Sequence, residues 1–213
     1  VIGTKPTFSL VFSSLPSDSF TAAKISNHIM PNTILTDVGS AKLNAVKIFS
    51  KLKNVKFNIL PAHPIAGTEK SGPESGFSEL FNKRWCVITP MGKNNKPSLN
   101  KLKKLWNILG SKVQIMDAKN HDKILAITSH MPHLISYAIV SSSLNVNAKE
   151  KSQIIKFSAG GFRDFTRIAA SDPTMWKDIF LNNKKNLLEI VVEFEKSLNL
   201  IKQYIKKNKS DKL

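Results

Sequence analysis

The chain has 213 residues, of which 41% are hydrophobic, and it carries a formal net charge of +17. That apolar content supports a buried core and excludes a disordered chain, and only three of the 32 basic residues are arginine, which disfavours a nucleic-acid role. No uninterrupted apolar run reaches the roughly 18 residues of a membrane span, and the single cysteine, Cys86, fits a reducing, cytoplasmic compartment.

Strands and helices alternate over the first 117 residues. Apolar runs predict strands at residues 8–14, 33–38, 55–63, 84–90 and 112–116, and amphipathic patterns predict helices at residues 19–30, 40–52 and 98–110. Such alternation with short connections is typical of parallel βαβ units, whose ligands bind at the carboxyl ends of the strands. We therefore expect a ligand site near residues 13–18, 36–40 and 61–69.

From residue 118 onward the sequence predicts only helices. The patterns cover residues 118–144 with Pro132 inside, residues 150–159 ended by Gly160 and Gly161, and a start at Pro173 capped by Ser171 or Asp172. Apolar residues then recur from Trp176 to Ile205, which predicts one amphipathic face of about 30 residues. One small domain cannot cover so long a face, so we expect a partner chain on it.

The loop at residues 61–77 surrounds one histidine with proline and glycine. Pro64 stiffens the backbone after His63, and an imidazole is a natural general base near neutral pH. An isolated histidine more often only bonds a loop, but this rigid setting favours a catalytic role. Ser40 either caps a helix or presents its hydroxyl to a ligand, and Asp37 is either a turn residue or part of the site.

Two groups in the helical region also have alternative interpretations. His130 and His133 share a helix face without a carboxylate at helical ligand spacing, which favours a substrate pocket or a core pair over a metal site. Arg163, Asp164 and Arg167 are interpreted either as a surface ion-pair cluster or as part of a binding site. In such a site an arginine, held by Asp164 or Glu69, binds a carboxylate in a bidentate geometry that lysine cannot give. Trp176 is interpreted as a packing or interface residue.

Four segments, TDVGSAK, HPIAGTEKSGPESGF, SHMPH and FSAGGFRDFTRIAASDPTMW, follow one another in the chain. In these segments and their order, the chain resembles the prephenate/arogenate (cyclohexadienyl) dehydrogenase family from about residue 8 to 200. The resemblance implies an incomplete, Rossmann-like parallel-sheet domain, 1–117, followed by an all-α dimerisation domain, 118–213. It also implies a cytoplasmic homodimer that acts in tyrosine biosynthesis with NAD or NADP.

The reaction implied by the resemblance is the oxidative decarboxylation of prephenate or arogenate, with hydride transfer to the nicotinamide and loss of CO2. In that reaction His63 accepts the proton of the ring hydroxyl, Ser40 assists at this hydroxyl, and Arg167 binds the side-chain carboxylate. The other implied substrate contacts are Glu69, Asp164, His130, His133 and Trp176, and the implied cofactor contacts are Ser14, Leu15, Pro16, Asp37 and Ser40. We expect His63 and Arg167 to face one cleft.

The sequence departs from the family pattern at its start. The glycine-rich turn for the cofactor pyrophosphate and the acidic residue for the ribose are not found, which predicts a fragment or a truncated relative. A non-catalytic dimeric remnant of the family is therefore one alternative, and a basic nucleic-acid-binding protein is another that the scattered lysines favour less. Prephenate and arogenate both remain open as substrates, as do NAD and NADP as cofactors.

Overall fold

The computed structural model of the chain describes residues 9–10, 26, 28–68, 72–92 and 96–212. Its backbone contacts group into two compact units: Val1–Asp122 with Ser171–Asn182, and Lys123–Ala170 with Asn183–Leu213. The predicted strand at residues 8–14 is described only at Ser9–Leu10, and the predicted helix at residues 19–30 lies mostly outside the described residues. The domain boundary after residue 117 stays a prediction.

The first unit contains two three-stranded sheets. In one sheet, β1 (Ser9–Leu10), β2 (Ile34–Thr36) and β3 (Asn58–Ile59) are parallel. In the other, β4 (Ala62–Ile65) pairs antiparallel with β5 (Trp85–Ile88), and β5 pairs parallel with β6 (Lys112–Ile115). The prediction of a wholly parallel sheet is therefore wrong at the β4–β5 pair.

The connection between β4 and β5 explains this difference. Its described residues contain one short 3-10 turn, Pro73–Ser75, rather than a crossover helix. Because a parallel pair needs such a crossover, the chain returns beside β4 in the antiparallel direction. The predicted strand at residues 55–63 is likewise divided at Leu60 and Pro61, where the chain passes from the first sheet to the second.

Two helices of the first unit cover opposite faces of β2. Side chains alternate along a strand, so Ile34 joins a core with residues of α2 (Lys96–Ile108), whereas Leu35 joins a core with residues of α1 (Lys42–Phe49). The helix residues in these cores are Leu102 and Trp106 of α2 and Ala45 and Phe49 of α1. This packing fixes the loop between β2 and α1, at the carboxyl end of β2.

The described residues from 118 onward are mostly helical. The elements are α3 (Ala118–Leu125), a π-helical segment (Ala126–His130), α4 (Met131–Leu144), α5 (Ala148–Lys156), α6 (Gly160–Ala169), α7 (Pro173–Asn182) and α8 (Lys184–Lys206). The π-helical segment ends two residues before Pro132, which cannot donate a backbone hydrogen bond. The predicted cap of α7 is confirmed, because Asp172 Oδ1 accepts a 2.7 Å bond from the backbone N–H of Met175.

Two predictions about this helical region are wrong. Gly160 and Gly161 begin α6, whereas the helix before them, α5, already ends at Lys156. The apolar pattern from Trp176 to Ile205 is divided at Asn183, where the backbone leaves the helical region with φ −113° and ψ 26°. Trp176 is buried in the first unit, whereas Ile205 of α8 is exposed in the second.

One helical stretch among the described residues, Ala118–Leu144, is long and apolar enough to cross a membrane by length and composition. The absence of a long uninterrupted apolar run did not predict this stretch. Its mean hydropathy over 18 residues is nevertheless high, although histidines and serines interrupt the apolar residues. Length and composition are weak evidence for a span, since a core helix of a soluble protein meets the same criterion. Of the 18 most apolar consecutive residues in this stretch, 22% are buried within the chain.

Candidate active site

His63 lies within β4 and is 7% exposed. Its backbone is opposite Val87 of β5 in the antiparallel ladder, so the strand pair fixes where the imidazole projects. After the strand, Gly67 and Gly72 have φ values of 154° and 91°, in a region that disfavours residues with a side chain. The predicted rigid setting of this histidine is therefore built from a strand, Pro64 and two conformationally special glycines.

A second histidine contacts His63 inside the first unit. His63 Nδ1 lies 2.9 Å from Nε2 of His121, and the two rings meet edge to face with centroids 5.1 Å apart. His121 Nδ1 in turn lies 2.7 Å from Oδ1 of Asp122. Both His121 and Asp122 are completely buried, so the carboxylate and two imidazoles form a chain of contacts shielded from solvent.

Asp122 also caps the N-terminus of α1. Its Oδ1 accepts a 2.7 Å bond from the backbone N–H of Lys42, and its Oδ2 accepts a 2.9 Å bond from that of Leu43. The N-cap position of α1 is Ala41, which offers no side-chain acceptor, so the capping role considered for Ser40 is wrong. The carboxylate of Asp122 therefore takes the place of a side-chain cap at the N-terminus of α1.

A buried ion pair supports the loop in front of His63. Lys42 Nζ bonds Asp37 Oδ2 and the carbonyl oxygen of Ala62, the latter at 2.7 Å. The carboxylate of Asp37 also accepts bonds from the backbone N–H groups of Gly39 at 3.0 Å and Ala62 at 3.2 Å. Burial lowers the pKa of Lys42, and the nearby Asp37 opposes this shift. Asp37 thus holds the residue that precedes His63.

His130 and His133 have different partners in the second unit. His130 Nδ1 lies 3.0 Å from the amide nitrogen of Asn183, so the neutral ring carries its proton on Nε2. His133 Nδ1 donates to the carbonyl oxygen of Ser129 at 2.9 Å, which leaves the lone pair on Nε2. Burial lowers the pKa of His133, partly offset by this bond, so the ring is neutral at pH 7.

The structure brings Arg167 and Asp164 together on α6. One guanidinium nitrogen lies 3.4 Å from Asp164 Oδ1, and the side chains are 56% and 72% exposed. An exposed pair of this kind contributes little to stability, which leaves the guanidinium available to a ligand. Trp176 is 6% exposed in the first unit and packs against Phe180, with ring centroids 5.5 Å apart. The predicted site residues Ser14, Leu15, Pro16 and Glu69 lie outside the described residues.

Sequence reasoning did not identify His121, Asp122 or Lys42 as site residues. A signal for the first two was present: a His-Asp dipeptide, close to the end of the predicted strand at 112–116, at the start of a helical pattern. Lys42 resembled the other lysines of a lysine-rich chain, and only its complete burial distinguishes it.

The edge near α1 fits part of a nicotinamide cofactor. The N-terminal N–H groups of α1 already bond Asp122, and the Asp37 carboxylate lies in the same loop, so this edge offers no phosphate site. The half-buried Ser40 lies two residues before Lys42, whose N–H belongs to this network. The nicotinamide end of the oxidised cofactor, whose ring is cationic, therefore suits this edge better than the anionic pyrophosphate.

The chain is similar to known proteins over most of its length. A cyclohexadienyl dehydrogenase of Zymomonas mobilis is 35% identical over 193 residues, which cover 90% of this chain and 65% of that protein. A prephenate dehydrogenase of Bacillus subtilis is 32% identical over 181 residues, which cover 84% of this chain and 48% of that protein. The chain thus spans between about half and two thirds of these curated relatives.

A solved structure gives the same result for the fold. Prephenate dehydrogenase from A. aeolicus, in complex with hydroxyphenyl propionate and NAD+, superposes with a TM-score of 0.85 at 35% identity. The match covers 97% of this chain and 71% of that one, and it confirms the predicted fold class, a Rossmann-like domain followed by a helical domain.

Two family models match consecutive parts of the chain. Residues 6–115 match "Prephenate dehydrogenase, nucleotide-binding domain", and residues 117–213 match "Prephenate dehydrogenase, dimerization domain". The buried His63 and its partner His121 therefore lie on either side of the point where the two matches meet. The chain belongs to the prephenate dehydrogenase family.

Proposed function

We propose that the protein oxidises and decarboxylates prephenate or arogenate with NAD or NADP, as a step of tyrosine biosynthesis in the cytoplasm. The observation that carries this proposal is the buried contact of His63 with His121 and Asp122, in a chain of this family. An imidazole held by a second imidazole and a carboxylate is suited to accept one proton, which the oxidation of an alcohol requires.

In the proposed reaction, His63 Nε2 accepts the proton of the substrate hydroxyl. When bound, the nicotinamide supplies the hydride acceptor. Ser40 bonds the same hydroxyl and orients it, while β4 and β5 hold the imidazole in place. Aromatisation of the ring after loss of CO2 supplies much of the driving force, so the protein mainly aligns the groups and takes up the proton.

In the same proposal, Arg167 binds the side-chain carboxylate of the substrate. Asp164 contacts the guanidinium at 3.4 Å and restrains it, a role that we also propose for Glu69. His130, the neutral ring of His133, and Trp176 supply the remaining substrate contacts. That His63 and Arg167 act on one substrate molecule stays a prediction.

Replacing Arg167 with lysine is expected to raise the KM for the substrate about 10-fold to 100-fold, because lysine cannot bind a carboxylate through two parallel N–H bonds. The kcat should stay within about threefold of the wild-type value, since the chemistry at His63 is intact. Arg163→Lys is a matched control on the same helix and should leave both constants unchanged. A fall in kcat at constant KM would contradict the role assigned to Arg167.

We further propose that two copies of the chain associate through α8. Leu198, Ile201 and Ile205 recur on one side of this helix and are 52%, 47% and 58% exposed in the single chain. Light scattering should give about twice the 23.7 kDa of one chain. Ile201→Asp should lower that mass to the monomer value, whereas Gln203→Asp, on the other side of the helix, should not. A monomer in the wild type would contradict the proposal.

The activity is tested with four combinations of prephenate or arogenate with NAD+ or NADP+. Reduced nicotinamide should appear with at least one combination, and the relative kcat/KM values identify the substrate and the cofactor. The absence of reduced nicotinamide from all four, with cofactor binding verified by calorimetry, would refute the proposed function.

A further inference from the structure

The proton that His63 accepts has a second acceptor within reach, because His63 Nδ1 lies 2.9 Å from His121 Nε2. We propose that His121 is a positioning residue that takes over this proton from His63 and holds it against the carboxylate of Asp122. The proposal rests on the proposed function for the origin of the proton, and on the geometry of the first unit for its destination.

The tautomers of both rings follow from the position of Asp122. A carboxylate can only accept hydrogen bonds, so His121 Nδ1, at 2.7 Å from Oδ1, must carry a proton. In the neutral ring, His121 Nε2 is then an acceptor, and His63 Nδ1 must donate to it. The lone pair of His63 is consequently on Nε2, the atom that has to accept a proton from the substrate.

The charge that results from proton uptake is better placed on His121 than on His63. Both rings are buried, and an imidazolium in such a place needs a nearby negative charge. Asp122 is in direct contact with His121 and is separated from His63 by the width of the His121 ring. The attraction between the charges falls with distance, so the carboxylate stabilises a proton on His121 more strongly.

The other titratable groups around the pair do not reverse this preference. The Asp37 carboxylate is bound to the Lys42 ammonium, so these two charges largely offset each other. Burial raises the pKa of the Cys86 thiol to about 12, so this residue of β5 is neutral. Asp117, one turn before His121 in the chain, is exposed and accepts a bond from the backbone N–H of Asn120.

The transfer balances in atoms and charge. The substrate O–H bond breaks and its proton binds His63 Nε2, while the electron pair of that bond forms the new C=O bond as the hydride leaves carbon. The N–H bond at His63 Nδ1 breaks in turn, and a new one forms at His121 Nε2. His63 ends neutral in its other tautomer, and His121 ends as an imidazolium beside Asp122.

An NMR titration tests the destination of the proton without substrate or cofactor. In the chain labelled with 15N-histidine, both rings should carry their proton on Nδ1 at alkaline pH. On acidification, His121 should show imidazolium shifts while the His63 ring stays neutral. An imidazolium at His63 beside a neutral His121, or a proton on Nε2 of neutral His63 at alkaline pH, would overturn the proposal. The loss of one signal set in His121→Gln assigns the resonances.

Two substitutions of His121 distinguish its role as hydrogen-bond acceptor for the His63 ring from its role as acceptor of the proton. In His121→Gln the amide oxygen can accept from His63 Nδ1 but takes up no proton, so kcat should fall about 10-fold to 100-fold at nearly constant KM. His121→Leu removes both roles and should lower kcat further. His28→Gln replaces an exposed histidine of the same unit and should change neither constant. A wild-type kcat in His121→Gln would overturn the proposal.

The two proposals can fail separately. If none of the four substrate and cofactor combinations reacts but the titration places the proton on His121, the proposed function fails and the assignment of His121 as the preferred proton site stands. If turnover occurs and His121→Gln turns over like the wild type, only the role of His121 fails.

Discussion

Replacing His63 with asparagine is expected to lower kcat about 100-fold to 10,000-fold, while the substrate KM stays within about threefold. The substitution removes Nε2, the atom that accepts the substrate proton. Asparagine places its amide near the position of Nδ1, so it can still donate to His121 Nε2 and keep the buried contact. Steady-state kinetics at saturating cofactor measures both constants.

The control for this substitution is His28→Asn, which changes an exposed histidine of the same unit in the same way. Its kinetic constants should equal those of the wild type. Circular dichroism and the denaturation midpoint of His63→Asn should show that the variant is folded. A kcat within threefold of wild type, or a loss confined to KM, would show that His63 is not the general base.

Replacing Asp37 with asparagine is expected to lower the free energy of unfolding by about 3–5 kcal/mol, because it leaves the buried ammonium of Lys42 without its counter-charge. Lys42 is completely buried and Asp37 is 2% exposed, so water cannot replace the lost carboxylate. The Ala62 N–H also loses a charged acceptor, which loosens the backbone directly before His63. Urea denaturation, monitored by tryptophan fluorescence, measures the change.

The double variant Asp37→Asn, Lys42→Met is the matched control. It removes both charges together, so it should recover a large part of the stability that Asp37→Asn loses. Asp117→Asn removes an exposed carboxylate of the same unit and should change the free energy by less than about 0.5 kcal/mol. If Asp37→Asn were as stable as the wild type, the ion pair would not support this loop.

Local features of the fold were predictable because they depend on neighbouring residues. Three consecutive residues, 171–173, are sufficient to predict that α7 starts at Pro173 and is capped by Asp172. Pro132 alone accounts for the π-helical segment that precedes it in the long helix. The antiparallel return of β5 was not predictable in this way, because a strand pattern carries no direction. The break at Asn183 was hidden because the apolar spacing continues across it.

One residue of the candidate site, His63, could be found from the sequence, whereas its partners His121 and Asp122 could not. His63 is marked by its own rigid loop, whereas its contact with His121 joins residues 58 positions apart and exists only after folding. Asp122 shows the same limit, since it caps a helix 80 positions away in the chain. Such contacts are set by the packing of the first unit, which no local pattern encodes.

The most direct test of the central claim is the simultaneous measurement of reduced nicotinamide and released CO2 during turnover of prephenate or arogenate. We expect one CO2 for each reduced nicotinamide, with both rates falling together in His63→Asn. Reduced nicotinamide without CO2, or CO2 released at an unchanged rate in His63→Asn, would contradict an oxidative decarboxylation that depends on this histidine.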